Sequence, residues 1–210
     1  DNIDVLHLAF SSGLSSTYNN AVIAANDIME EYPDCKITVI DTLAASMGEG
    51  LLVYKAVNLK NDGKTMDEVA TYIEENKANV ISRFTVDDLH HLHRGGRVSK
   101  TTAIVGSLIN VKPILHVDEE GLLKSLENTR GRKKSLSRIL DMMEEATRDY
   151  EGTNDMAFLS HGDCEEDAKY IASEIEKRFG IKTMINILGQ TIGTHTGPNL
   201  IALFFMGNKR

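Results

Sequence analysis

Cysteine is scarce in this sequence, and its two cysteines lie far apart. Cys35 and Cys164 form no C-x-x-C pair, and no histidine cluster with metal-ligand spacing accompanies them. Isolated cysteines of this kind are typical of free thiols in a reducing compartment, with a single disulfide as the alternative. We therefore expect a cytoplasmic protein that has neither a disulfide framework nor a metal site.

Long apolar runs and an excess of positive charge are absent as well. No stretch approaches the roughly 20 apolar residues that a membrane-spanning helix needs, and no signal-peptide pattern precedes the first strand. The formal net charge is -8 at pH 7, whereas nucleic-acid binding needs a basic surface that releases counterions. We expect neither a membrane span nor a nucleic-acid partner.

The common catalytic motifs are also missing. The sequence has no G-x-x-x-x-G-K-[ST] phosphate loop, no G-x-G-x-x-G after a strand and no G-x-S-x-G nucleophile elbow. No pair of carboxylates is placed for acid–base work. His90, His91 and His93 do not share one helical face, which argues against a metal site. The sequence thus offers binding groups more readily than catalytic ones.

The first well-defined unit is a strand, a hydroxyl-rich turn and a helix. An apolar run over 5–10 predicts a strand, Ser11-Ser12-Gly13 predicts a tight turn, and apolar residues at helical spacing from Leu14 to Met29 predict a helix. Serine hydroxyls and backbone N–H groups at a helix N-terminus favour a bound anion. This anion is a phosphate, a carboxylate or an oxyanion.

The pattern of elements predicts an α/β protein with two units. Strands and helices alternate up to residue 79, which indicates a parallel sheet. A helix is expected from about 43 to 59, and Thr65 with Glu68 forms a capping box for the next one. Beyond residue 80, the turn Asp118–Gly121 predicts a β-hairpin, which with the later strands implies a mixed sheet. We expect an N-terminal domain over 1–79 and a C-terminal domain over 80–210.

Two further turns carry groups that bind anions. Arg94 and Arg97 flank Gly95-Gly96, where two guanidiniums can bind a carboxylate or phosphate; the alternative is a solvated helix C-terminus. His195 lies between threonines and glycines, which predicts a tight turn whose hydroxyl groups fix the imidazole tautomer. Its alternative is a structural turn with an incidental histidine. The basic cluster from Arg130 through Arg132 to residue 134 is either a solvated face or a docking surface.

Taken in order, these segments resemble the DegV family of fatty acid-binding proteins. The resemblance lies in the segment 11–18, in Val39-Ile40-Asp41-Thr42 with Gly48 and Gly50, and in the segments 94–99, 112–115 and 193–198. It implies a two-domain α/β protein that binds one long-chain fatty acid between its domains. It also implies a carrier that performs no chemistry itself and needs no cofactor.

The resemblance assigns roles to particular residues. The carboxylate is held by Ser12 and the Gly13 amide, next to Ser11, and His195 with Thr196 lies beside it. A separate fatty acid kinase is implied as the partner that phosphorylates the bound acid. Four arginines are the candidates that face this partner or the phosphate: Arg94, Arg97, Arg130 and Arg132.

The sequence departs from the family in one respect. Family members begin with a strand that carries a Thr-Asp-Ser turn and later have a Thr-Ser-Gln-Pro segment, and neither occurs here. We therefore expect that the chain lacks the N-terminal part of the family's chain.

The first alternative function is a phosphoryl- or acyl-transfer enzyme that uses His195, with Arg94 and Arg97 as an anion clamp. The second is a purely structural or interaction domain.

Overall fold

The strands of the protein form two sheets. The computed structural model describes residues 4–99, 110–208 and 210, and all structural statements below refer to them. The strands are β1 (Val5–Ala9), β2 (Ile37–Asp41), β3 (Val80–Thr85), β4 (Val111–Val117), β5 (Leu123–Arg130), β6 (Met156–His161), β7 (Lys182–Ile187) and β8 (Ile201–Met206). The helices are α1 (Thr17–Glu31), α2 (Met47–Asn61), α3 (Met66–Asn76), α4 (His90–Arg94), α5 (Arg132–Thr147), α6 (Glu165–Phe179) and α7 (Gln190–Thr196), with a 3-10 turn at Lys77–Asn79.

The smaller sheet is a parallel pair. β1 and β2 pair from Val5 with Ile37 to Ala9 with Asp41, and α1 connects them. A strand, a crossover helix and a second parallel strand form the unit that the alternating pattern predicts. The parallel character of the N-terminal part is therefore confirmed.

The larger sheet is mixed and has the order β5-β4-β3-β8-β6-β7. Its pairs are antiparallel except for β6 with β7. β4 and β5 form the predicted hairpin, in which Asp118 Oδ1 accepts hydrogen bonds from the amides of Glu120 at 3.0 Å and Leu122 at 2.8 Å. Gly121 takes a positive φ of 75°, which glycine adopts without a steric penalty.

Two apolar clusters cover the two faces of the larger sheet. Consecutive side chains of a strand point to opposite faces, so Phe204 packs with α2 and α3 whereas Phe205 packs with α5 and α6. The first cluster also contains Ile40 of the smaller sheet, so α2 links the two sheets. The division into domains 1–79 and 80–210 stays a prediction.

The predicted start of α2 is wrong, for a local reason. The helix begins at Met47 rather than near residue 43, because Leu43 and Ser46 have positive φ angles of 49° and 56°. Ser46 is the N-cap residue, and the hydroxyl of Thr42, further upstream, donates to the carbonyl of Ala9 at 2.7 Å. By contrast, the predicted capping box is confirmed: the Thr65 hydroxyl accepts from the Glu68 amide, and the Glu68 carboxylate accepts from the Thr65 amide.

Candidate functional site

A cavity of about 370 Å³ lies between the larger sheet and the segments that follow β1 and β2. Its volume falls within the range of about 300–1,000 Å³ that is typical of small-molecule sites. On the side of the larger sheet it is lined by apolar residues: Phe84, Leu92, Val117, Leu200, Ala202 and Phe204. Its polar lining includes Ser15, Thr17, Arg97, Thr191, His195 and Thr196. The arrangement suits a ligand with a long apolar part and a polar end.

His195 lies on a helix, so the predicted tight turn is wrong. α7 ends at Thr196 and is followed by Gly197 with a φ of 75°. The hydroxyls of Thr194 and Thr196 donate to the carbonyls of Gln190 at 2.9 Å and Ile192 at 3.1 Å. They therefore serve the helix backbone, as threonine often does within a helix, rather than the imidazole.

Two glycines let α4 and α7 approach closely. A Cβ atom on Gly95 would lie 2.1 Å from His195 Nδ1, and one on Gly197 would lie 2.6 Å from His91 Cδ2. Each histidine thus packs on the glycine of the other element. Gly95 has an ordinary φ of -73°, so space rather than backbone conformation requires the glycine. This contact holds His195 at the cavity.

Arg97 donates hydrogen bonds to two backbone carbonyls. Its Nε and Nη2 donate to the Leu14 carbonyl at 3.2 and 2.9 Å, and its Nη1 donates to the Gly95 carbonyl at 2.5 Å. Arg94 Nη2 lies 3.2 Å from His91 Nδ1. Arg94 lines a surface depression next to the cavity, and His195 lines both spaces. Arg97 therefore brings the turn after β1 next to α4 and His195.

The Ser11 hydroxyl and the amides of Ser12 and Gly13 form hydrogen bonds within the chain. Ser11 is fully buried, and its hydroxyl donates to the carbonyl of Gly121 at 2.8 Å and accepts from the Gly13 amide at 3.2 Å. The Ser12 amide donates to Asp41 Oδ1 at 3.2 Å, and the Ser12 side chain is exposed. None of these three residues is part of the cavity lining. Their role towards a ligand stays a prediction.

Arg130 and Arg132 lie apart from the cavity. Arg130 is the exposed last residue of β5. Arg132 Nε donates to Asp167 Oδ2 at 2.8 Å, and its Nη2 lies 3.5 Å from Cys164 Sγ. Burial raises the pKa of the Cys164 thiol, although Arg132 opposes this shift. The structure thus brings only Arg94 and Arg97 near His195, and the role of all four arginines stays a prediction.

Sequence reasoning missed several lining residues. Ser15 and Thr17 follow the predicted turn, with 2.8 Å between their hydroxyl oxygens, and the Thr17 amide donates to Ser15 Oγ at 3.2 Å. Their position in the same hydroxyl-rich segment was an available signal. No comparable signal marks Thr191 or Phe10, which reach the cavity from a helix and from the end of a strand.

Two negative findings apply to the described residues. No helix among them has both the length and the apolar character that a bilayer crossing requires. Within the same ranges, no three side chains of histidine, cysteine, aspartate or glutamate gather into a set that could hold a metal ion.

Comparisons with known proteins identify similar chains. The model of a family described as an uncharacterised protein, DegV family, matches residues 1–208. A DegV domain-containing protein of Clostridium perfringens is 44% identical over 209 residues, which are 99% of this chain and 71% of that protein.

Two solved structures are also similar. One is described as showing fatty acid binding of a DegV family protein from Thermus thermophilus; it has a TM-score of 0.85 and 30% identity, with 97% of this chain and 71% of that chain covered. The other is the Streptococcus pneumoniae Fatty Acid Kinase (Fak) B3 protein loaded with linoleic acid, with a TM-score of 0.88 and 25% identity over 99% of this chain and 72% of that chain.

Proposed function

Because the chain belongs to the DegV family, we propose that it binds one long-chain fatty acid in the cavity between the larger sheet and the segments that follow β1 and β2. The observation that carries this proposal is the cavity itself, which is apolar along the larger sheet and polar around His195. The similar proteins from Thermus thermophilus and Streptococcus pneumoniae, which are described as binding a fatty acid and as loaded with linoleic acid, support the same ligand class.

In this proposal the carboxylate binds at the His195 end, with Ser12 and Gly13 as further donors. A buried anion is costly unless hydrogen-bond donors meet it. The Gly13 amide now donates to Ser11 Oγ over 3.2 Å, and a carboxylate oxygen is a stronger acceptor than a hydroxyl. A ligand carboxylate therefore competes well for this amide. Thr196 lines the same end of the cavity.

The acyl chain supplies most of the binding free energy. Each methylene removed from water contributes about 0.8 kcal/mol. The apolar residues of β3, β4 and β8 offer a surface for such a chain. The carboxylate then fixes the direction in which the acid lies, while chain burial sets the affinity.

We further propose that the protein is a carrier that presents the acid to a separate fatty acid kinase. The name of the similar Streptococcus pneumoniae protein includes that kinase. Arg94 and Arg130 are exposed, so their guanidiniums are available to such a partner, whereas Arg132 pairs with Asp167. Cys35 and Cys164 are free thiols, which supports the predicted cytoplasmic setting.

Extraction of the purified protein under denaturing conditions, followed by mass spectrometry, tests the ligand. We expect one fatty acid per chain. His195→Ala should weaken binding about tenfold to a hundredfold, since a hydrogen bond to a charged group contributes about 1.5–3 kcal/mol. His90→Ala is the matched control, because His90 is exposed on α4 and outside the cavity lining. A protein that is empty and takes up no fatty acid would reject the proposal.

A further inference from the structure

The cavity follows strand β8 away from His195. Leu200, Ala202 and Phe204 all line it, and their two-residue spacing puts their side chains on one face. Four residues of extended chain span roughly 13 Å. α7 directly precedes this segment, so Leu200 lies near the polar end and Phe204 lies far from it. Met206, the next residue on this face, is buried but does not line the cavity.

The Phe204 ring rests on a glycine of α2. A Cβ atom on Gly48 would lie 2.9 Å from Phe204 Cδ1 and 3.3 Å from Cε1. Beyond the ring is a narrow crevice, lined by Gly48, Ser82 and Arg210, in which no water-sized sphere fits. Ala45, Val117 and Phe204 line both the cavity and this crevice, and Phe204 has the largest side chain of the three. Together with Ala45 and Val117, the ring therefore separates the two spaces, and Gly48 sets how far the ring withdraws from the cavity.

We infer that Phe204, seated on Gly48, is the floor of the cavity and limits the length of the acyl chain that the protein accepts. The inference rests on the proposed function, because it takes the carboxylate to lie at His195. A fatty acid bound in this direction places its terminal methyl group against the ring. Acids longer than the distance from His195 to the Phe204 ring must bend or leave carbons in water, whereas shorter acids do not reach the ring.

The affinity of a series of saturated acids tests the inference. Each further methylene that is buried strengthens binding about fourfold, and this gain stops once the methyl group reaches the floor. A plot of log Kd against chain length therefore has a break point. In Phe204→Leu the smaller side chain should move the break point to longer acids. In Gly48→Ala the added methyl pushes the ring into the cavity, and the break point should move to shorter acids.

Two matched controls separate chain length from general loss of packing. Phe158 pairs with Phe204 on the neighbouring strand and is equally buried, at 3%, but does not line the cavity. Gly50 lies on the same helix as Gly48, and a Cβ atom there would have only an ordinary contact with Met47 Sδ at 3.5 Å. Phe158→Leu and Gly50→Ala should leave the break point of the wild-type protein unchanged.

The outcomes separate this inference from the proposed function. Wild-type protein that binds no acid of any length rejects the proposed function, and the inference with it. Wild-type protein that binds, with the same break point in Phe204→Leu and Gly48→Ala, rejects the inference alone. If circular dichroism shows that Phe204→Leu is unfolded, Gly48→Ala decides, because its expected shift has the opposite direction and a loss of packing does not produce it.

Discussion

At the scale of single residues, the position of His195 depends on the absence of a side chain on Gly95. The missing Cβ leaves room for the imidazole, whose Nδ1 would otherwise lie 2.1 Å from that atom. His91 and Gly197 repeat the same contact in the opposite direction. Gly95, which lies between Arg94 and Arg97 in the sequence, is thus part of the His195 site, although it has no functional group of its own.

Substitution of Gly95 tests this dependence. Gly95→Ala should displace the His195 ring and weaken fatty acid binding about tenfold or more, because a hydrogen bond to the carboxylate contributes about 1.5–3 kcal/mol. Overpacking adds a loss of stability of about 1–3 kcal/mol. Isothermal titration with a fatty acid measures the first effect, and urea unfolding measures the second.

Gly193→Ala is the control for this substitution. Gly193 lies on the same helix as His195, and a Cβ atom there would have no neighbour within 4 Å. We expect Gly193→Ala to bind fatty acid like the wild-type protein. If Gly95→Ala also binds with unchanged affinity, His195 is not held at the carboxylate through this contact.

At the scale of elements, the turn after β1 is attached to the β4–β5 hairpin. The Ser11 hydroxyl donates to the Gly121 carbonyl at 2.8 Å across 110 residues of sequence. A Cβ atom on Gly13 would lie 2.8 Å from the carbonyl oxygen of Glu120, so this glycine permits close approach of two backbones. Ser11 and Gly13 therefore position the turn next to the cavity, whatever they do towards a ligand.

Ser11→Ala and Ser12→Ala should affect different properties, the first mainly stability and the second mainly fatty acid affinity. Ser11→Ala leaves the buried Gly121 carbonyl without its hydroxyl donor, which costs about 1–3 kcal/mol of unfolding free energy. Ser12→Ala changes an exposed side chain, so its effect on stability should stay within about 0.5 kcal/mol, while fatty acid affinity falls if Ser12 binds the carboxylate. Urea unfolding and titration of both variants check this. A stable Ser11→Ala variant would contradict the structural role of its hydroxyl.

Local signals predicted the elements whose causes are local. The capping box at Thr65 and the turn at Asp118 are each made by residues within five positions, and both occur as expected. The sequence pattern does not predict α7, because a helix of seven residues is too short to show helical periodicity and one of the seven is Gly193. The cavity lining could not be predicted from local patterns either, because residues far apart in sequence, such as Leu14 and Arg97, come into contact only in the folded chain.

At the scale of the whole molecule, a ligand in this cavity would contact both the larger sheet and the segments that follow β1 and β2. The lining combines Phe10 and Ser15, which follow the smaller sheet, with Phe84 and Phe204 of the larger one. A fatty acid bound there is expected to hold the two parts together. Because it binds the folded chain and not the unfolded one, it also raises the free energy of unfolding.

This linkage gives a test of carboxylate recognition in the whole protein. At a free concentration of 100 times its Kd, a fatty acid should raise the unfolding free energy of delipidated protein by about 2.7 kcal/mol. Its methyl ester has the same tail and no charge, so at equal concentration it should stabilise less. In His195→Ala the acid and the ester should become more alike, because the variant lacks the proposed donor. Thermal and urea unfolding measure all four combinations. Equal stabilisation of the wild-type protein by acid and ester would show that the polar end does not recognise a carboxylate.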